Sequence, residues 1–259
     1  MSSAKMIALK LCLLTVIQAT AQTQRQDIDS AALFLLQRTT ATILQMTACS
    51  FRITTSYDMA NGQAGLVKHS TLDDVFMKFP GKLLVISSGD KGRRGLWCDD
   101  SILSYYSYDH NNYATISAPG SIIAAIDTVS KTFGIDFPGV DFFYPDFAAA
   151  IAASAQSLLY LGQTPVNGES CVHIAGRDQE KSYEFWLSME QWFLPVKISI
   201  HYYHTQGGPQ YEASYSNWHV NPNLSNALFD FVIPPRAGKI RLLPSSGEPG
   251  EQPDQNTRP

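Results

Sequence analysis

Between Leu194 and Tyr203 the chain alternates, with Leu194, Val196, Ile198, Ile200 and Tyr202 on one side and Lys197, Ser199, His201 and Tyr203 on the other. A period of two marks a half-buried strand and dictates which side chains meet the core. The same pattern sets Phe51, Ile53, Thr55, Tyr57 and Met59 against Arg52, Thr54, Ser56 and Asp58. Asn61-Gly62 then predicts a tight turn into a hairpin with the segment running through Val67 to Phe79. Further runs occupy 82–87, 94–97, 101–108, 113–116, 158–164, 171–175, 183–188 and 211–219. Gly89-Asp90-Lys91-Gly92, Asp99-Asp100, Asp109-His110-Asn111-Asn112 and Asn167-Gly168 supply turns between them. The count is about eleven antiparallel strands.

Helical spacing occurs in two places. Asp29 or Ser30 can cap a leading helix whose stripe is Ala32, Leu35, Leu36, Thr39, Ile43 and Met46. A central insertion holds a helix over 121–133, with Ile122, Ile123, Ile126 and Val129, and an alanine-rich one over 145–157. An aromatic loop lies between them. A large antiparallel sheet has an apolar face that needs cover, and these helices are what is available. The expected fold is α+β: a curved antiparallel sheet, or half-barrel, with a leading helix and a central helical insertion covering the concave face.

The ends bear on location. Lys5 and Lys10 precede the apolar stretch of residues 11–17, and Ala19-Thr20-Ala21 offers the small-x-small pattern of signal-peptide cleavage. Residues 1–21 are expected to be removed before Gln22, leaving no cysteine at the cut for lipid attachment; the alternative is an uncleaved N-terminal anchor. No later stretch approaches the roughly 20 apolar residues of a membrane span. Loss of two lysines makes the mature chain more acidic than the formal −4 of the whole, which disfavours nucleic acid as a partner. Residues 244–259 are Pro, Ser, Thr, Gly and charged or amide residues without an apolar anchor, the composition of a disordered tail. One domain over 22–243 remains.

Three cysteines follow the leader: Cys49, Cys98 and Cys171. Export permits one disulfide plus a thiol, or three buried thiols, and spacing does not choose.

Three segments resemble the periplasmic lipoprotein-carrier superfamily of LolA and LolB, and especially its uncharacterised branch of predicted periplasmic proteins. Val75-Phe-Met-Lys78-Phe79-Pro80-Gly-Lys-Leu83 is similar to the second-strand segment and its Pro turn. Leu96-Trp-Cys-Asp-Asp100-Ser-Ile-Leu-Ser-Tyr-Tyr106 is similar to the central hairpin, and Leu228-Phe229-Asp-Phe231-Val-Ile-Pro234-Pro235-Arg-Ala-Gly238 to the closing stretch. Their collinearity carries the resemblance. It implies a half-barrel with a helical lid over a cavity for acyl chains. Carriers of this kind hold the lid with an Arg before the Pro turn; that position is Phe79 here, so their gating is not carried over.

Other chemistry has little support. His201 and His204 lie three apart, on opposite faces of a strand, with no further ligand at metal spacing. His173 reads as a half-buried strand histidine with a hydrogen-bond partner, and Cys171 is two residues from it on the same face without a base on another element. His69, His110 and His219 read as solvated residues in or beside turns. Asp99-Asp100 reads as turn chemistry, and Gly-x-Ser-x-Gly and phosphate-loop motifs do not occur. The expectation is a non-catalytic protein without a metal or cofactor.

Phe133, Phe137, Phe142, Phe143, Tyr144 and Phe147 cluster in the central insertion. They either cork the core or, with Ile122, Ile123 and Ile126, form the underside of a lid over a hydrophobic ligand. The functional expectation is a periplasmic carrier for a lipid, acyl chain or lipoprotein. The alternative is a cell-envelope protein–protein interaction module without a small ligand.

Overall fold

The computed structural model describes residues 26–118, 120–133 and 139–242, with Phe133 described by its backbone alone. The expected signal peptide and tail lie outside these residues.

The chain begins with β1 (Asp27–Ile28) and α1 (Ser30–Leu44) and enters the long hairpin of β2 (Ala48–Asn61) and β3 (Gly65–Lys78). A meander of β4 (Lys82–Gly89), β5 (Gly92–Asp99), β6 (Ile102–Ser107) and β7 (Asn112–Ser117) follows. The insertion comprises α2 (Ile122–Phe133), a 3-10 turn over Asp141–Phe143 and α3 (Phe147–Ser154). Then come β8 (Ser157–Val166), β9 (Glu169–Arg177), β10 (Lys181–Ser188), β11 (Pro195–Tyr202), β12 (Gln210–Val220) and, at the end, β13 (Gly238–Lys239).

All thirteen strands form one curved sheet in the order β1-β8-β9-β10-β11-β12-β2-β3-β4-β5-β6-β7-β13. The eleven expected strands are its interior. The count rises to thirteen because each edge carries a two-residue strand, β1 beside β8 and β13 beside β7. Both pair in parallel, so the sheet is mixed and not wholly antiparallel. Such an edge strand makes few bonds but covers backbone groups that would otherwise stay open to another chain.

The alternation of β2 fixes the helix-bearing face. Cys49, Phe51 and Ile53 are buried there, in one core with Val75, Met77, Leu83, Cys98 and Leu103. On the opposite face, Phe231 packs on Trp97 at 5.1 Å between ring centroids, and buried Phe229 lies beside it. The closing segment thus straps the back of the sheet.

α1 is placed by its cap. Asp29 Oδ1 accepts from the Ala31 N–H at 2.8 Å, while Oδ2 accepts from the Tyr160 N–H at 3.2 Å, joining helix start to β8. Ala32, Leu36, Thr39, Thr40 and Ile43 turn inward. Thr39 is buried without penalty because its hydroxyl donates to the Phe193 carbonyl at 2.7 Å.

Candidate functional site

α2, the 3-10 turn and α3 lie over the helix-bearing face as an aromatic and aliphatic layer. Ile122, Ile126, Phe142, Phe143 and Phe147 are buried, and Ile123 and Tyr144 are half-buried. Phe137 lies outside the described residues, and the Phe133 side chain is likewise not described. The remaining aromatic residues are brought together. Phe143 stacks on Phe51 of β2 at 5.9 Å, and Phe142 meets Phe185 of β10 edge to face at 5.6 Å and Phe147 at 4.6 Å.

Phe79, where the carriers have their arginine, is 6.3 Å from the Phe143 ring. The insertion is therefore met at this corner by an apolar contact.

Polar ties join the layer to the sheet at its margins. The Ile122 N–H donates to the Pro80 carbonyl at 2.8 Å, and Tyr215 Oη donates to the Gly139 carbonyl at 3.1 Å. Gly139 is required at that point. It has φ +89°, and a Cβ there would collide with Tyr215 Oη. Within the layer, Tyr144 Oη donates to Asp127 Oδ1, holding α2 to the segment before α3. That bond lowers the Asp127 pKa, while burial and the same bond raise that of Tyr144.

The space beneath the layer is small. A cavity of about 40 Å³ lies between Phe142, Phe147 and Ile151 on one side and Tyr183, Phe185, Ile198 and Ile200 on the other. Ligand pockets commonly enclose about 300–1,000 Å³. This cavity lies well below that range.

Beyond the layer the same face turns polar. Thr55 and Thr71 hydroxyls are 2.6 Å apart, and Thr71 Oγ1 donates to Asp73 Oδ2 at 3.2 Å. Asp73, Arg94, Asn112, Tyr183 and Tyr211 each keep one buried side-chain atom without a hydrogen-bond partner. Burial raises the Asp73 pKa, against the opposing influence of the Ser87 and Thr71 hydroxyls and the Arg94 charge. Sequence reasoning missed this set. Its one visible signal was an aspartate in phase with Val75 and Met77 on a strand.

His69 corrects an expectation. It lies within β3, half-buried, stacked on Tyr57 at 5.7 Å, with Nδ1 3.1 Å from Asp90 Oδ2. It falls inside the segment expected from Val67 to Phe79, and β3 begins two residues before that, at Gly65. His173 has the partner expected of it, Glu184 at 2.7 Å, and stacks on Trp186 at 4.5 Å. Cys171 nearby is buried, with its pKa pushed up to about 11 by desolvation, the reverse of an activated thiol. Asp99 Oδ1 accepts from the Ser101 and Ile102 N–H groups, as its turn reading requires. Among the described residues there is no group of three or more metal-ligating side chains, and no helix long and apolar enough to cross a membrane.

The family model described as predicted periplasmic protein (DUF2092) matches residues 32–243. Among curated proteins none matches. Solved structures similar to this chain include lipoprotein LppX from Mycobacterium tuberculosis, at 12% identity and TM-score 0.41, covering 76% of this chain and 100% of that one. LprF from Mycobacterium bovis is similar at 14% identity and TM-score 0.44, covering 81% and 99%. An uncharacterized conserved protein from Thermus thermophilus is similar at 12% identity and TM-score 0.47, covering 82% and 99%.

Proposed function

The chain belongs to the family of predicted periplasmic proteins DUF2092, and from that premise we propose that it is a non-catalytic periplasmic carrier for the acyl chain of a lipid or lipoprotein. The observation carrying this reading is the way the apolar face of the sheet is closed. A second sheet would seal it permanently; here an inserted layer covers it, resting on aromatic contacts and tied at its margins by Ile122 and Gly139. An acyl chain would replace the layer's side chains against Phe51, Phe185 and Ile198, at about 25 cal/mol per Å² of apolar surface buried, less association costs. The cavity of about 40 Å³ requires the layer to move first. Ile122, Ile123, Ile126, Phe133, Phe137, Phe142, Phe143, Tyr144 and Phe147 are proposed as its ligand-facing residues.

The test is mass spectrometry of lipids extracted from mature protein purified out of its native periplasm, together with titration of a fluorescent fatty acid. Co-purified lipid and saturable binding support carriage. Lipid-free protein that also fails to bind the fatty acid overturns it.

A second reading, an envelope interaction module, is favoured by one observation. Trp192 is 61% exposed at φ +51°, with its carbonyl accepting from Thr42 of α1, and Phe34 and Leu44 on that helix are also exposed. Trp192→Ala would abolish partner capture under this reading and leave fatty-acid binding unchanged under the first.

A further inference from the structure

Cross-strand register places Ile53, Asp73, Ser87, Arg94, Ser107 and Asn112 in one row across β2 to β7. The adjacent row toward the helical layer is Phe51, Val75, Val85, Leu96, Tyr105 and Ala114. Two residues along a strand is about 7 Å. Over that distance the helix-bearing face passes from apolar to polar.

The polar row is only partly satisfied by its own members, with the Ser87 hydroxyl engaging Asp73. Asp73 Oδ1, Arg94 Nε and Asn112 Oδ1 are buried without a hydrogen-bond partner, as is Tyr211 Oη on the flanking strand β12. The Tyr211 residue is only 5% exposed. Native interiors keep few such groups unpaired, so these atoms are the ones on this face open to a polar ligand or to water. Their demands are specific. The Asp73 and Asn112 oxygens need donors, Arg94 Nε offers one together with a full positive charge, and the Tyr211 hydroxyl can do either. Among the described residues Arg94 has no salt bridge within 4.0 Å: Asp74 is committed to Arg52 and Asp90 to His69, and Asp73, two strands away in the row, meets the Arg94 charge only at longer range.

We propose that this row is a headgroup site: it takes a phosphate ester that also carries an N–H or O–H donor, as phosphoethanolamine does, with the acyl tail along the neighbouring apolar rows. The phosphate oxygen meets Arg94, whose fork of N–H donors suits it. The ammonium or hydroxyl meets Asp73, two strands from Arg94 in the same row. This inference rests on the carriage reading and adds to it the chemical class of the head.

The test measures binding of short-chain phosphatidylethanolamine, phosphatidylcholine and diacylglycerol to the mature wild-type protein, with glycerophosphoethanolamine as the tail-less control. Phosphatidylethanolamine is expected to bind about tenfold more tightly than phosphatidylcholine, which lacks the donor, and than diacylglycerol, which lacks the anion. Arg94→Gln should bring it down to the diacylglycerol level, and Asp73→Asn should narrow its lead over phosphatidylcholine. Equal binding of all three lipids overturns the headgroup site and leaves carriage standing, because water would then satisfy the row. Failure of every lipid overturns both. Binding of the tail-less head as tight as that of the lipid also overturns the proposal. If Arg94→Gln does not fold, the wild-type comparison still decides.

Discussion

Tyr144 Oη and Asp127 Oδ1 are 2.5 Å apart, and this bond joins the two halves of the inserted layer. Tyr144→Phe keeps the ring and removes the tie. Amide exchange across α2 is expected to rise a few-fold, and a fluorescent fatty acid should associate faster. The Asp127 pKa is depressed, so the bond contributes fully above the ordinary carboxylate range and is lost as pH falls through the lowered value. The mutant should therefore match wild type in acid and differ from it at neutral pH. Equal exchange at pH 7 would show that the layer does not depend on this bond.

Gly139 and Tyr215 make a complementary test. Gly139→Ala must fit a Cβ against Tyr215 Oη at φ +89°, and should cost about 2 kcal/mol in urea unfolding. Adding Tyr215→Phe removes the clashing oxygen and should recover part of that loss. A double mutant no better than Gly139→Ala would place the whole cost in the backbone.

Asp73 predicts a pH dependence of opposite sign. Its pKa is raised in the folded state, so the folded chain binds the proton more tightly than the unfolded one. Stability should fall as pH rises from the ordinary value of 3.8 through the raised one. Asp73→Asn should flatten that slope and gain about 1 kcal/mol at neutral pH, measured by thermal melts across the range. A slope unchanged in the mutant would assign it to other carboxylates.

Cys49, Cys98 and Cys171 are free and buried, which answers the pairing question that spacing left open. Desolvation pushes the Cys49 thiol up to about 12. A thiol reagent at pH 8 should label none of the three until denaturant is added, and reduction should not shift the melting temperature. Rapid labelling of the native protein would contradict their burial.

The strands were legible where alternation and turn residues coincide, as at Asn61 and around Gly89. β1 and β13 were not, because a two-residue strand has no period; it exists through its bonds to β8 and β7, far off in sequence. The aromatic residues of the insertion announced themselves by density. The polar row did not: Asp73, Arg94 and Asn112 fall into one row only through pairings across five strands, and a hydropathy pattern carries no register.

The two edge strands bear on how the chain leaves the ribosome. Asp27 and Ile28 are made first and wait for β8, whereas Gly238 and Lys239 are nearly the last described residues to emerge. The backbone of β7 thus stays open to pairing with another molecule until residue 239 has emerged. A chain stalled or clipped before Gly238 would keep its core strands and lose its guard. Its hazard would be polymerisation rather than unfolding.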